Sequence, residues 1–152
     1  EVTSYATLNT GAYTMSLLSG SASNSSSSNS SAATGCVTTN LSFGQAANGA
    51  LAATDCTNGA RGTAYYTDRY SFYATAGQQI SILLTSTAFH SYVYLKNSSG
   101  TVMTSNDDGG GGTNSRIPAT SGTYTMPATA AYTIEVTSYS TQVTGAYTLQ
   151  LN

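Results

Sequence analysis

Apolar and polar residues alternate along much of the chain, so that every second side chain of several short segments is apolar. This period of two is typical of β-strands with one face against a core and the other in solvent. No window carries the spacing of an amphipathic helix. Two strands are predicted in FHSYVYLKN and GTVMTSN, and the inward-facing residues of the others are Tyr70, Phe72, Ala74, Ile80, Ile82, Leu84, Tyr132, Ile134, Val136, Tyr147, Leu149 and Leu151. The pattern predicts an all-β fold, an antiparallel β-sandwich.

A long polar tract divides the chain before the predicted sandwich. Residues 18–35, LSGSASNSSSSNSSAATG, have the composition of a flexible serine-rich linker. The predicted organisation is an extra N-terminal strand pair over residues 1–17, the linker over 18–35, and one sandwich domain over 36–152.

The segment before the linker repeats the last strands of the domain. Residues 1–17, EVTSYATLNTGAYTMSL, agree with residues 135–151, EVTSYSTQVTGAYTLQL, at 12 of 17 positions. The match favours a repeat array with a period of 134, in which residues 1–17 are the tail of a preceding unit. An isolated strand pair exposes unpaired backbone groups, so we expect it to dock on a sheet outside its own domain. The predicted assembly residues are Tyr13, Met15 and Leu17, which match Tyr147, Leu149 and Leu151.

The composition excludes several classes of partner. Charged residues make up 7% of the chain and the net charge is −2, so the basic surface of a nucleic-acid-binding protein is absent. There is no apolar run of about 18 residues, and no membrane span is expected. The 23 serines and 26 threonines give a hydroxyl-rich surface with little charge repulsion, which favours self-association. The 12 tyrosines offer a sugar- or protein-binding face, but most have strand spacing and are better explained as core.

The two cysteines, Cys36 and Cys56, bound the segment CVTTNLSFGQAANGALAATDC. One pair in a hydroxyl-rich chain of low charge predicts a disulfide formed in an oxidising, extracellular compartment. The alternative is two reduced, buried cysteines. A zinc site built on them is not expected, because two cysteines and one histidine do not make a four-ligand set.

The order of motifs from Cys36 onward carries a resemblance to a known family. The motifs are LSFGQAANGALAATDC, DRYSFYATAGQQISILLTS, FHSYVYL, NSSGTVMTSNDDGGGGTNSRI, YTMPATAAYTIEVTSY and GAYTLQL. In this order the chain resembles the bacterial pre-peptidase C-terminal domain family. The resemblance implies a secreted, jelly-roll-like, non-catalytic module that is appended to proteases and other exported proteins. Some relatives bind collagen or polysaccharide and some bind calcium, so the resemblance also implies a possible binding role of this kind. The chain departs from the family at His90, where an acid is usual, and at Ala130, where glycine is usual.

No catalytic residues are predicted, and the chain is not expected to be an enzyme. His90 is the only histidine, and it lies in a predicted strand without a nucleophile-elbow motif nearby. Glu1 and Glu135 occupy the same repeat position, which indicates a structural role rather than a glycosidase pair.

Calcium is the one candidate cofactor. In NDDGGGGTNSRI, the side chains of Asn106, Asp107 and Asp108 offer oxygen ligands. The alternative is a structural loop with Asx-type turns, glycines at positive φ, and Arg116 paired with Asp107 or Asp108. The resemblance implies a second calcium position at Asp55 and Asp68, but the serine-rich linker lacks the carboxylates that collagenase relatives add there.

Four asparagines, each in an Asn-X-Ser context, are candidate glycosylation sites: Asn24, Asn29, Asn40 and Asn97. Two functions are compatible with these patterns. The first is a subunit of an extracellular fibre or surface layer joined to copies of itself by strand addition. The second is an accessory module of a secreted hydrolase that binds polysaccharide or protein.

Overall fold

The computed structural model describes residues 36–152, which form eleven β-strands and no helix. No segment of this part of the chain is therefore a helix able to cross a membrane. The strands are β1 (Thr38–Asn40), β2 (Gln45–Leu51), β3 (Asp68–Ala74), β4 (Gln79–Ile80), β5 (Ile82–Thr85), β6 (Ser91–Lys96), β7 (Val102–Asn106), β8 (Ser115–Ile117), β9 (Tyr124–Thr125), β10 (Ala130–Ser138) and β11 (Gly145–Leu151).

The strands form a sandwich of two main sheets. The five-stranded sheet has the order β1-β3-β10-β6-β7, and the four-stranded sheet has the order β2-β11-β5-β8. Neighbouring strands of these sheets are antiparallel except β1 and β3, which run parallel. The predicted all-β sandwich is confirmed, with one parallel pair at an edge.

The core lies between the two sheets and is built from the alternating apolar residues. All twelve residues predicted to face inward from the period of two are buried. The same core includes Val93 and Leu95 of β6, Ile117 of β8, and Met126. Alternation identifies the twelve residues because each of their strands has one face against the core.

The segment QQISILLTS differs from its prediction as one strand. Ile80 pairs with Tyr124 in a separate two-stranded sheet of β4 and β9, whereas Ile82 begins β5 of the four-stranded sheet. The break is at Ser81, whose backbone exchanges two hydrogen bonds with Asn152. Ile80 and Ile82, on the two sides of the break, are both buried, so the prediction that they face the core is confirmed.

A disulfide joins Cys36 to Cys56, as predicted, with the two Cα atoms 4.9 Å apart. Residues 57–66 follow Cys56 and pass over the outer face of the five-stranded sheet. This segment, the cover loop, is held by the backbone N–H of Ala60, which donates to Glu135, and by Thr137, whose hydroxyl donates to the carbonyl of Tyr66.

The predicted segments 1–17 and 18–35 lie outside the described residues, as do the assembly residues Tyr13, Met15 and Leu17.

Candidate functional site

A buried carboxylate lies beneath the cover loop. Glu135 of β10 is fully buried and accepts hydrogen bonds from Lys96 Nζ at 2.5 Å, Arg69 Nε at 3.4 Å and the backbone N–H of Ala60 at 2.5 Å. The loop approaches so closely at Gly59 that an added Cβ would lie 2.8 Å from a carboxylate oxygen of Glu135. The two cations and the N–H compensate the buried charge. The cluster joins the cover loop to β3, β6 and β10, which agrees with the structural role expected for Glu135.

Arg61 of the cover loop lies over three tyrosine rings. Its guanidinium carbon is 4.6 Å from the ring centroid of Tyr65, 4.4 Å from that of Tyr92 and 5.4 Å from that of Tyr139. Arg61 Nη2 also donates to the carbonyl of Tyr139 at 3.0 Å. Because the arginine occupies the faces of these rings, the tyrosines serve to hold the loop and are not a free stacking surface.

The acids Asp55 and Asp68 lie near one another at the rim of the sandwich. Asp68 Oδ2 accepts a hydrogen bond from the Tyr147 hydroxyl at 2.6 Å, and that hydroxyl is 2.8 Å from the hydroxyl of Tyr70. Burial raises the pKa of Asp68 to about 6; the Tyr147 hydrogen bond opposes this effect, and the charge of Asp55 adds to it. Burial also raises the pKa of Asp55, against the hydrogen bond it accepts from the backbone N–H of Ala52.

These two acids fit a calcium ion poorly. Each has one oxygen hydrogen-bonded within the protein, and residues 36–152 place no third acid, histidine or cysteine with them in a metal-binding cluster. Calcium commonly takes six to eight oxygen ligands. Calcium at Asp55 and Asp68 stays a prediction without structural support.

The acidic loop between β7 and β8 has the predicted turns but a different set of partners. Asn106 Oδ1 accepts from the backbone N–H of Gly109 at 2.6 Å and from that of Arg116 at 2.9 Å. Gly111 and Gly112 have φ of 89° and 63°. The predicted pairing of Arg116 with Asp107 or Asp108 is wrong. The guanidinium instead donates to the carbonyls of two loop residues, Pro118 and Gly122, and turns away from the acids.

His90 takes the place beside these acids. It lies directly before β6, and its Nε2 is 2.7 Å from Asp108 Oδ1. One ligand atom from each of His90, Asp107 and Asp108 lies within 4.8 Å of the others. In the described part of the chain this is the one cluster of three side chains suited to a metal ion.

Comparison with known families matches the second half of the chain. The model of the bacterial pre-peptidase C-terminal domain matches residues 66–152, which are more than half of the 152 residues. The chain belongs to this family. No curated protein sequence matches it.

A solved domain of the same family has this fold. The pre-peptidase C-terminal domain of a collagenase from Bacillus anthracis has a TM-score of 0.56 and 14% identity, and the match covers 76% of this chain and 95% of that domain. A periplasmic inhibitor of g-type lysozyme from Aeromonas hydrophila has a TM-score of 0.49 and 15% identity over 76% of this chain and 96% of the inhibitor.

The cluster of His90, Asp107 and Asp108 does not follow from the family resemblance, because the family usually has an acid at the position of His90. The sequence patterns assign His90 no catalytic role and do not connect it with Asp107 and Asp108. The available signal was the turn at Asn97–Gly100, because a hairpin there pairs Val93 with Asn106. Continuing this register beyond the strands brings His90 to the two acids.

The two described glycosylation candidates differ in their surroundings. Asn40 is exposed on β1, and its Oδ1 accepts from the Ser71 hydroxyl at 2.6 Å. Asn97 begins the β6–β7 turn, where its Oδ1 accepts from the backbone N–H groups of Ser99 and Thr101. Glycosylation at both stays a prediction, and Asn24 and Asn29 lie outside the described residues.

Proposed function

We propose that the chain is a non-catalytic structural module of an extracellular fibre or surface layer, in which residues 1–17 enter the sandwich of another copy by strand addition. One observation carries the proposal. The residues of the domain that match this segment are among its most buried: Glu135 and Val136 of β10, and Tyr147, Leu149 and Leu151 of β11. Because residues 1–17 have nearly the same sequence as residues 135–151, their apolar side chains are expected to need a similarly buried environment.

The two matching strands lie in different sheets of the domain. β10 is a central strand of the five-stranded sheet, between β3 and β6. β11 is a central strand of the four-stranded sheet, between β2 and β5. Every copy already holds its own β10 and β11 in these places, so residues 1–17 would add strands at the edges of the receiving copy.

The test compares the size of three full-length proteins by light scattering and electron microscopy. One is the unchanged chain. The second carries Tyr13→Ser, Met15→Ser and Leu17→Ser, which remove the apolar face that matches β11. The third is a matched control with Ala12→Ser and Ser16→Asn, whose counterparts Ala146 and Gln150 are exposed. The unchanged and control chains should form the same assembly, and the triple variant should be a folded, disulfide-bonded monomer.

A chain without residues 1–17 should also remain monomeric. If it forms the same assembly, or if all the full-length proteins are monomers, strand addition through this segment is wrong.

A second candidate function is that of an accessory module of a secreted hydrolase that binds polysaccharide or protein. The similar domain of a collagenase supports this alternative. The open face of the four-stranded sheet also has a groove of about 470 Å³ lined mainly by hydroxyl and amide side chains, including Asn48, Thr85, Ser86 and Thr148. A monomeric full-length chain that is retained on an insoluble polysaccharide or on collagen would favour this function.

A further inference from the structure

We propose that His90, Asp107 and Asp108 bind a divalent transition-metal ion, with Zn²⁺ as the best match, through one imidazole nitrogen and two carboxylate oxygens. The site is independent of the proposed assembly. It lies where the start of β6 meets the loop after β7.

The donor set favours zinc over calcium. Zinc accepts imidazole nitrogen together with carboxylate oxygen, whereas calcium is bound by oxygen ligands alone. The Oδ1 atom of Asn106, which would be a further oxygen for calcium, already accepts two backbone hydrogen bonds. His90 and the two carboxylates leave a fourth position for water, as in zinc sites with three protein ligands.

Among the described residues, no lysine or arginine forms an ion pair with Asp107 or Asp108. The ion pairs formed there by lysine and arginine go to Glu135, and Arg116 is turned toward Pro118 and Gly122. Two carboxylates next to one imidazole carry a charge that a divalent cation neutralises.

The imidazole is positioned before any metal arrives. Its ring stacks on Tyr139 with the centroids 4.8 Å apart and an angle of 16° between the planes. The backbone N–H of Tyr139 donates to the carbonyl of His90 at 2.8 Å. Nε2 of His90 is shielded from solvent and, although it is close to Asp108, makes no well-formed hydrogen bond with the described residues.

The two acids are carried on a loop with fixed ends. Asn106 Oδ1 accepts hydrogen bonds from the backbone N–H groups of Gly109 and Arg116, on the two sides of the loop. The Ser91 hydroxyl lies 2.8 Å from the Ser115 hydroxyl and 3.1 Å from the carbonyl of Thr113. The ligand atoms now lie within 4.8 Å of one another. With metal–ligand distances of about 2.0–2.2 Å, the ligand atoms of a tetrahedral site are about 3.3–3.6 Å apart. To reach this spacing, the 2.7 Å contact between His90 Nε2 and Asp108 Oδ1 would lengthen and the longer separations in the cluster would shorten.

The experiment uses the full chain without a histidine tag, so that His90 is the only histidine present. ZnCl₂ is titrated by calorimetry, with CaCl₂ and MgCl₂ as comparison ions, and the imidazole nitrogens are followed by ¹H–¹⁵N NMR. We expect one Zn²⁺ per chain, a shift of the His90 nitrogen resonances, and a higher melting temperature in the presence of Zn²⁺.

The variants separate the three ligands from other acids. His90→Gln, and Asp107→Asn with Asp108→Asn, should each weaken Zn²⁺ binding at least tenfold. Asp55→Asn, an acid at a different place, should leave it unchanged.

Three results would overturn the proposal. Unchanged imidazole resonances without binding heat would show that His90 and Asp108 form an ion pair only. Zn²⁺ binding that survives His90→Gln would place the metal elsewhere. Calcium binding as tight as zinc, with His90 unaffected, would show a site of oxygen ligands.

Discussion

The outer faces of the two sheets differ, although the strands that form them follow the same alternation. On β10 of the five-stranded sheet, Glu135 and Thr137 alternate with the core residues and yet are fully buried under the cover loop. On β11 of the four-stranded sheet, Thr148 is partly accessible and Gln150 is exposed. Alternation therefore identifies the residues that point away from the core, but it does not say whether another segment covers them.

On the outer face of the five-stranded sheet, the covered face, a buried charge requires compensation by other groups. On the outer face of the four-stranded sheet, the open face, no such compensation is needed. A carboxylate removed from water needs cations and hydrogen bonds, which Lys96, Arg69 and the N–H of Ala60 supply to Glu135. On the open face, water satisfies the polar groups, and contacts such as the 3.0 Å hydrogen bond from the Thr148 hydroxyl to Asn48 are optional. The same kind of side chain is therefore expected to contribute very differently to stability on the two faces.

The largest effect is expected at the centre of the covered face. Glu135→Ala leaves Lys96 and Arg69 largely buried next to each other without an acid, so we expect a loss of about 3–5 kcal/mol in the free energy of unfolding. Chemical denaturation of the full chain at neutral pH measures it. The matched change on the open face is Gln150→Ala, which should stay within about 0.5 kcal/mol. Equal effects of the two substitutions would refute the contrast between the faces.

A smaller effect is expected where the cover loop meets the tyrosines. Arg61→Ala removes three cation–π contacts and a hydrogen bond to the carbonyl of Tyr139, and should lower the free energy of unfolding by about 1–2 kcal/mol. Arg61→Lys keeps the charge but loses the planar stacking, so its effect should be intermediate. If both variants are as stable as the unchanged chain, Arg61 does not hold the cover loop.

An effect of a different kind, a dependence of stability on pH, is expected at the rim between the sheets. Burial raises the pKa of Asp68 to about 6, above the value of about 3.9 for an unfolded chain. The folded protein then binds more protons than the unfolded one between these values, so its stability should fall as the pH rises from about 4 to about 6. The asparagine in Asp68→Asn cannot ionise. The difference in unfolding free energy between this variant and the unchanged chain should therefore change between about pH 4 and about pH 6.

The control for this measurement is Gln150→Ala, whose difference from the unchanged chain should not vary with pH. A constant difference for Asp68→Asn as well would show that the Asp68 carboxyl titrates alike in the folded and unfolded proteins.

Strand β2 shows where pattern analysis failed within the sandwich. Its sequence, QAANGAL, has few large apolar residues, and the alternation of apolar and polar residues predicts no strand there. The strand forms because its backbone pairs with β11 along seven residues, from Gln45 to Leu51. Gly49 is part of this fit, since an added Cβ would lie 2.4 Å from the Tyr147 ring. Backbone pairing at an edge leaves little mark in the hydrophobic pattern.

The class of fold, most of the core and the disulfide could be predicted from the sequence alone. These depend on local alternation and on two cysteines, and both are visible along the chain. Only the three-dimensional fold sets what surrounds each charge. It buried Glu135 under a loop that lies 75 residues away in sequence at Ala60, turned Arg116 away from the acids, and brought His90 to Asp107 and Asp108. The physical reason is that the free energy of a charged group depends on the groups around it in space, and loop packing and strand register bring those groups together from distant parts of the chain.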